Sequence, residues 1–506
     1  MAEYGSTKSN VMAIVKETTA GTLKAPTGGT DFVELQPDLQ MTPNFDALEN
    51  EAIRASIGKS KPIQGVERPE AGFSHYLKHS GTEGTAPEFG DILESLFGAT
   101  SANGTERSTT AASTVSLLKL AAGGSDFARG KAVLIKDGTN GYSLRPVHSV
   151  SGDDLTLGFH LANAPATGIP VGKCVNFAPA NSGHPTLSIH SYQGNGQILE
   201  AIAGAVCSSA EMRARAGDML NMNFSFQGTK YFFNPIVIAA ADRYLDFNDG
   251  TDNYAAVVEA KTYRDPHELA SALTTSMNAL GAPDVYTVSF MDNDPTYKGK
   301  FLISTAGATL SLLWNTGANT ANTIGDKLGF SVAADDTAST SYYSDNVQSY
   351  APAFTPAYDS SDPLAAKNFE IMLGDATDYS CFCAQEITAQ IQLEVTDVGC
   401  ICAESGVDSK KITSRMVTMQ ISALLDKHDA DKFRRYRENT ETRFAFNFGE
   451  KVGGNWVAGK CGILYVPTAT ISAFSLVDLD TVVGMNMTLT AFVDSSGNGE
   501  VYLNFL

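Results

Sequence analysis

The same order of secondary-structure signals occurs twice along this chain, and that internal duplication limits what the chain can build. The first copy runs from about Asp31 to Leu96 and resumes from Pro185 to Gln227; the second runs from about Glu386 to Val493. Each opens on an alternating strand signal, Glu34–Met41 in one and Ile387–Val395 in the other. A second alternating strand follows, Gly72–Leu77 against Val417–Ala423, and then one short helix, Pro87–Phe97 against Ala430–Glu438. Each closes on a glycine-punctuated hairpin and a final strand, Leu220–Phe226 against Met485–Phe492. Alternation with a period of two gives each strand one apolar face. Ile387, Ala389, Ile391, Leu393 and Val395 share such a face, while Thr388, Gln390, Gln392 and Glu394 share the polar one. Two copies of one sheet unit suit a building block better than a catalyst.

At 506 residues the chain exceeds a single core, and length alone suggests about three to four domains. The 45 glycines, with abundant Thr, Ser and Asn, fit many short strands joined by tight turns. The formal charge of −20 repels phosphate, which argues against gripping nucleic acid but not against letting DNA pass. No apolar run approaches the roughly 20 residues that span a bilayer. Met1–Ser6 lacks the basic-then-apolar layout of a signal peptide. Seven cysteines, an odd number without a secretion signal, are expected to be reduced thiols of a protein made in the cytosol.

Residues 1–30 are polar and Gly/Thr-rich, which predicts a mobile arm or an extension docked at an interface. The helix Pro87–Phe97 is the best-signalled element: Thr85 and Glu88 fit a capping box, and Gly98 is its stop. Phe89, Ile92, Leu93, Leu96 and Phe97 form a core-facing stripe. From 99 to 179 a small β insertion is expected, with strands Ala132–Ile135, Arg145–Val150 and Asp154–Leu157 between Asp-Gly, Asn-Gly and Gly-Asp turns. From 238 to 350 an α+β insertion is expected, including a helix Pro266–Leu280 with Leu269, Leu273 and Met277 on one face. The first repeated unit is then residues 1–98 with 180–237, and the second is 365–506.

Cys381-x-Cys383 with Cys400-x-Cys402 would place two thiols on one strand face in each pair, and four thiolates could hold zinc. One intervening residue is short for a structural zinc site, and a strand separates the pairs. Buried thiols are the favoured reading. The eight histidines show no ligand spacing; His75 and His79 are four apart but start in a strand. They are expected at the surface or at interfaces. Asp246–Gly250 and Asp292–Asp294 fit turns rather than calcium loops. No nucleophile elbow, phosphate loop or dinucleotide fingerprint occurs, so neither an enzyme nor a cofactor is expected. The basic run Lys432–Arg437 fits either a solvated helix face or a contact with an acidic neighbour.

The run Val15–Thr22, followed by Phe32–Gln36, resembles the start of siphophage major tail tube proteins. So do the helix Phe89–Phe97 and the Gly196–Val206 hairpin, and in the C-terminal half Glu404–Gly406, Ile412–Arg415 and Pro467–Ile471. Tyr244–Phe330 is similar to a module that recurs in phage virion proteins. The resemblance spans both copies, about half of the residues. It implies a mainly β fold: two tandem tail-tube-like β-sandwich units, each with a short helix, plus the small β insertion and the α+β insertion, both outside a tube. It implies a major tail tube subunit of a long non-contractile tail, stacked in rings around the DNA-ejection conduit. Single-unit members form hexameric rings, so two units per chain imply a homotrimer with pseudo-sixfold symmetry. The implied partners are further copies of the chain, a tape-measure protein, tail terminator and baseplate or tip proteins, and DNA in transit without specific binding; no membrane is involved. The implied location is the virion tail, after assembly in the host cytoplasm. On this reading Arg434, Arg435 and Arg437 are candidates for an inter-ring contact, and Gln390, Gln392 and Glu394 for the lumen face. A tail hub or terminator component, and a β-rich host-surface adhesin, are the alternatives.

Overall fold

Alternating apolar residues dominate the sequence and strands dominate the structure, so the fold class is mainly β as expected, with few short helices. The computed structural model describes residues 7–51, 58–194, 196–307, 309–426, 430–479, 481–494 and 497–506. Residues 1–6, searched for a signal sequence, lie outside the described residues. Two compact units result. One holds residues 7–12, Ile189–Ile202 and Tyr231–Thr355; the other holds Ala13–Ser188, Ala203–Lys230 and Pro356–Leu506.

The strands of the N-terminal part include β1 (Val11–Lys16), β2 (Gln40–Thr42), β3 (Glu70–Tyr76), β4 (Cys174–Pro179), β5 (Ile198–Arg215) and β6 (Asn221–Gln227). In the C-terminal part follow β7 (Ala384–Gly399), β8 (Val407–Leu424), β9 (Thr442–Val452), β10 (Asn455–Leu479), β11 (Val482–Ala491) and β12 (Tyr502–Phe505). The helices are α1 (Gly90–Phe97), α2 (Pro266–Asn278) and α3 (Asp431–Glu438). Eight strands pair antiparallel in the order β10-β11-β8-β7-β5-β6-β3-β2. The first half of β10 pairs instead with β9 and β12, and β12 also pairs with β4.

Helix α1 buries Ile92, Leu93, Leu96 and Phe97, with Phe89 buried just ahead of it, so the apolar stripe faces the core. Gly98 ends it at φ +90°, where a Cβ would meet the His184 ring at 2.7 Å. The capping box does not form. Glu88 turns away from the helix, accepting from the backbone N–H of Asp359 at 2.9 Å and pairing with His75 Nε2 at 2.8 Å. Burial would raise its carboxyl, but those partners more than offset this and hold it below the usual range. The aromatic core closes around Phe505, whose ring lies 5.5–6.2 Å from those of His79, Phe89, Phe177 and Phe448.

Two expectations near the N-terminus are corrected. Residues 1–30 are not simply an arm: the run Val-Met-Ala-Ile-Val is apolar enough to form β1, with Met12–Val15 buried. Glu34–Met41 is not one strand, because Pro37 lacks a donor and Asp38 turns to accept the Ser74 backbone N–H at 3.0 Å. Only Phe32–Val33 and β2 remain extended there.

Between β1 and β4 lies a six-stranded sheet containing the expected hairpin Ala132–Asp137 with Gly141–Ser151. Asp137 caps its turn by accepting from the N–H groups of Thr139 and Asn140 at 2.9 and 3.2 Å. Val133, Ile135, Val147 and Leu155 fill one core of this module. Its other face, through Leu134 and Leu144, packs with Trp456, Ile463 and Tyr465 of β10.

The smaller unit packs α2 against short sheets, with Leu269, Leu273 and Met277 beside Phe247, Tyr286, Phe301 and Trp314. Asp265 starts the helix by accepting the Glu268 N–H at 2.9 Å, and Pro266 occupies its first turn. Replacing Asp265 with alanine is expected to cost about 1 kcal/mol. Hydrogen exchange should register the loss as faster opening of Pro266–Asn278 alone.

Candidate assembly surface

A sheet that ends on both sides in unpaired backbone offers donors and acceptors to another chain. Inside the eight-strand run, the pairing that joins the two halves of the chain is β5 with β7. Its register runs from Ser209 opposite Gln392 to Arg215 opposite Glu386. Ala210, Met212 and Ala214 meet Ile391, Ala389 and Ile387 on the buried face. On the opposite face the Arg213 Nε donates to Glu386 at 2.7 Å. No local pattern encodes this junction, because alternation specifies faces and not which distant strand lies alongside.

The outer strands of the run are β2 and the second half of β10. Met41 of β2 lies on the core side, opposite Ala71, but is only half-buried, and among the described residues no strand is in register on its other side. Ile391, flanked by strands on both sides, is 6% exposed. On β10, Leu476 is 63% exposed, and Val482 and Val483 of β11 are also open. An apolar, half-covered margin of this kind belongs against another surface.

The polar face of the run carries Thr388, Gln390, Gln392 and Glu394 on β7, Thr418 and Gln420 on β8, and Asn223 and Ser225 on β6. Gln392 and Glu394 are exposed and Gln390 half-exposed, so the three named lumen candidates share one solvent-facing row. The ionisable groups on this face are Glu70, Glu211, Glu386, Glu394, Arg213 and Arg215, joined opposite Thr396 by the exposed Lys411. The lumen candidates named from sequence included none of these three cations.

Arg434 and Arg437 project from α3 and are exposed, whereas the Arg435 side chain is 1% exposed. Its Nε donates to Asp431 at 2.6 Å and its second amino group reaches Asp375 at 3.4 Å, so it anchors α3 within its own chain. At the end of the run, Arg68 bonds Asp46 and Asp397, and Lys410 reaches Asp397 at 2.5 Å. These cations tie the hairpin Phe45–Leu48/Ile63–Glu67 to β7 and β8. Burial would raise the Asp397 carboxyl, but Lys410 and Arg68 hold it below the usual range.

All seven cysteines are free, and among the described residues no His/Cys/Asp/Glu group could hold a metal. The expectation of buried thiols is corrected for four of them: Cys381, Cys383 and Cys402 are exposed and Cys400 is half-exposed. The pairs sit at opposite ends of the 16-residue β7, about 50 Å apart at strand rise. The histidine expectation is corrected too, since His75 and His79 are buried.

Burial lowers the pKa of His79 from 6.5 to about 3, with the Lys460 charge adding to it. Burial likewise lowers His148 to about 4, helped by Arg443 and Arg129. The unfolded chain therefore takes up protons near pH 6.5 that the folded chain refuses. Stability is full above pH 6.5 and falls as the pH drops from there toward about 3. Urea midpoints should decline across that window, and His79→Phe should flatten the decline.

No curated protein matches the chain. Among solved structures, one described as "Structure of a type six secretion system protein" is 10% identical over 26% of this chain and 91% of that one. Its TM-score of 0.17 is too low to support any argument. The family model described as phage tail tube protein matches residues 7–264, slightly more than half of the chain. That stretch includes β1, β4 and α1, and also β2, β3, β5 and β6, the four strands that make half of the eight-strand run. The chain belongs to the phage tail tube protein family.

Proposed function

We propose that this chain is the major tail tube subunit of a long non-contractile tail, and that it carries two tandem tube units. The family to which it belongs is structural rather than enzymatic, assembles into a tube and is a virion tail component. Among the described residues no helix is long and apolar enough to cross a membrane. The observation that carries the proposal is a match of register between the halves. Asn221 and Met222 of β6 face Tyr76 and His75 of β3. Asn486 and Met487 of β11 face Ser422 and Ile421 of β8 in the same way. Met41 of β2 faces Ala71, as Ile391 of β7 faces Val417. The set β5-β6-β3-β2 is thus the counterpart of β10-β11-β8-β7.

The β5–β7 pairing is then the join between successive units, and the outer strands β10 and β2 are its two unmatched halves. Transferring the register puts Met41 of one chain opposite Ile471 of the next, and Thr42 opposite Thr470. Such a head-to-tail contact closes a ring when the rotation permits. Three chains supply six units, and closure leaves no edge exposed. The polar row of Gln390, Gln392 and Glu394 then lines the lumen, where four glutamates outnumber the cations Arg213, Arg215 and Lys411 and leave little net attraction for phosphate. Arg434 and Arg437 are left as the exposed part of the inter-ring candidate. The tape measure, terminator and tip proteins, and assembly in the host cytoplasm, complete this reading.

Electron microscopy of the purified chain tests it. Stacked three-chain rings support it; a single unstacked ring favours a hub or terminator, and dispersed monomers favour an adhesin. Residues 238–350 are placed outside the tube, because a domain on the inner wall would block passage. Deleting 241–350 should leave thinner tubes; loss of all polymerisation would move that module into the ring contact.

A further inference from the structure

Two thiol pairs flank β7, Cys381 and Cys383 at one end and Cys400 and Cys402 at the other. The turn between β7 and β8 is held by the Cys400 N–H to the Gly406 carbonyl at 3.0 Å and the Gly406 N–H to the Ala403 carbonyl at 2.9 Å. Gly406 adopts φ +77° to close it. At its tip, Ile401 is completely exposed, between the half-exposed Cys400 and the exposed Cys402. A rigid turn that presents one bare aliphatic side chain leaves apolar surface in water that burial would stabilise.

At the other end of the same strand lies a cleft of about 270 Å³. Phe369, Ile371, Phe382, Cys383, Ile387 and Phe446 line it. Its lining is mostly apolar, with Lys367, Asn368, Gln385 and Glu386 also contributing, and it is larger than one isoleucine side chain. β7 runs for 16 residues, with bulges near Glu386, Glu394 and Val398, and the tip and the cleft lie at its opposite ends, about 50 Å apart at strand rise. The chain cannot fill its own cleft with its own tip. A second copy displaced along β7 can, and the same contact repeats without end, which is the open heterologous association a stack requires.

Resting on the tube reading, we infer that the Cys400–Ile401–Cys402 tip of one copy docks in the Cys383 cleft of a copy in the adjacent ring. Ile401 is the knob, and docking brings Cys402 or Cys400 beside the partner's thiols at Cys381 and Cys383. The contact is apolar and needs no oxidant; the thiols serve as built-in reporters.

The test uses the full chain and a short bis-maleimide, whose two double bonds each add one thiol S–H. Assembled tubes should yield a ladder of covalent multimers on denaturing gels. Mass spectrometry should find peptides containing Cys400 or Cys402 joined to those containing Cys381 or Cys383. Ile401→Asp should abolish the ladder and the tubes while rings still form, since a fully exposed residue does not support the fold. Cys383→Ser should keep the tubes and remove the links to that position. Full-length tubes from Ile401→Asp, or tubes whose linked peptides omit this pairing, would overturn the docking and leave the tube intact. An unaltered chain that forms neither rings nor tubes would overturn the tube reading itself.

Discussion

Met41→Asp is expected to leave a folded chain that no longer forms rings. In the isolated chain Met41 sits on the half-covered outer strand β2, so a carboxylate there keeps access to water. Once a neighbouring β10 pairs with β2, the same position becomes the equivalent of Ile391, which is 6% exposed. A carboxylate buried there without a partner costs about 3 to 5 kcal/mol per junction, and a closed ring repeats that cost at every chain boundary. Sedimentation velocity should therefore show monomer at concentrations where the unaltered chain is fully assembled. Circular dichroism and the thermal midpoint should hardly move. Ala389→Asp makes the useful contrast: its position is the intramolecular version of the same junction, opposite Met212 and 3% exposed. That change should unfold the chain rather than disperse it.

Phe505→Ala should produce the largest loss of stability. Phe505 is buried on β12, the strand that pairs with β4 on one side and β10 on the other. Four aromatic rings surround it, from the segment before α1, from α1's own start, from β4 and from β9. Phenylalanine-to-alanine changes at such positions cost about 3 to 5 kcal/mol, through lost burial and the cavity left behind. A urea titration followed by near-ultraviolet circular dichroism should show a clearly lower midpoint. An unchanged slope would place the loss in the folded state rather than in the compactness of the unfolded one.

Much of this was legible in the sequence because it is local. The alternation at Ile387–Leu393 marks β7 and its buried face, and the stripe Ile92, Leu93, Leu96 marks α1. The helix over Pro266–Asn278 follows from Asp265, Pro266 and the spacing of Leu269, Leu273 and Met277. What escaped depends on partners far along the chain. Glu88 looked like a cap because Thr85 stands three residues before it, yet His75 and Asp359 claim its carboxylate. Arg435 looked like part of a surface patch because charge runs usually are, but Asp375 and Asp431 draw it inward. The join of β5 with β7 links residues more than 170 positions apart, beyond the reach of any periodicity.

The most direct measurement is a cryo-electron microscopy reconstruction of the tube the purified chain forms, at a resolution that traces strands. The account predicts three chains per ring, with β2 of each chain hydrogen-bonded to β10 of the next and Met41 opposite Ile471. Six chains per ring, or a β2 edge left facing solvent, would contradict it.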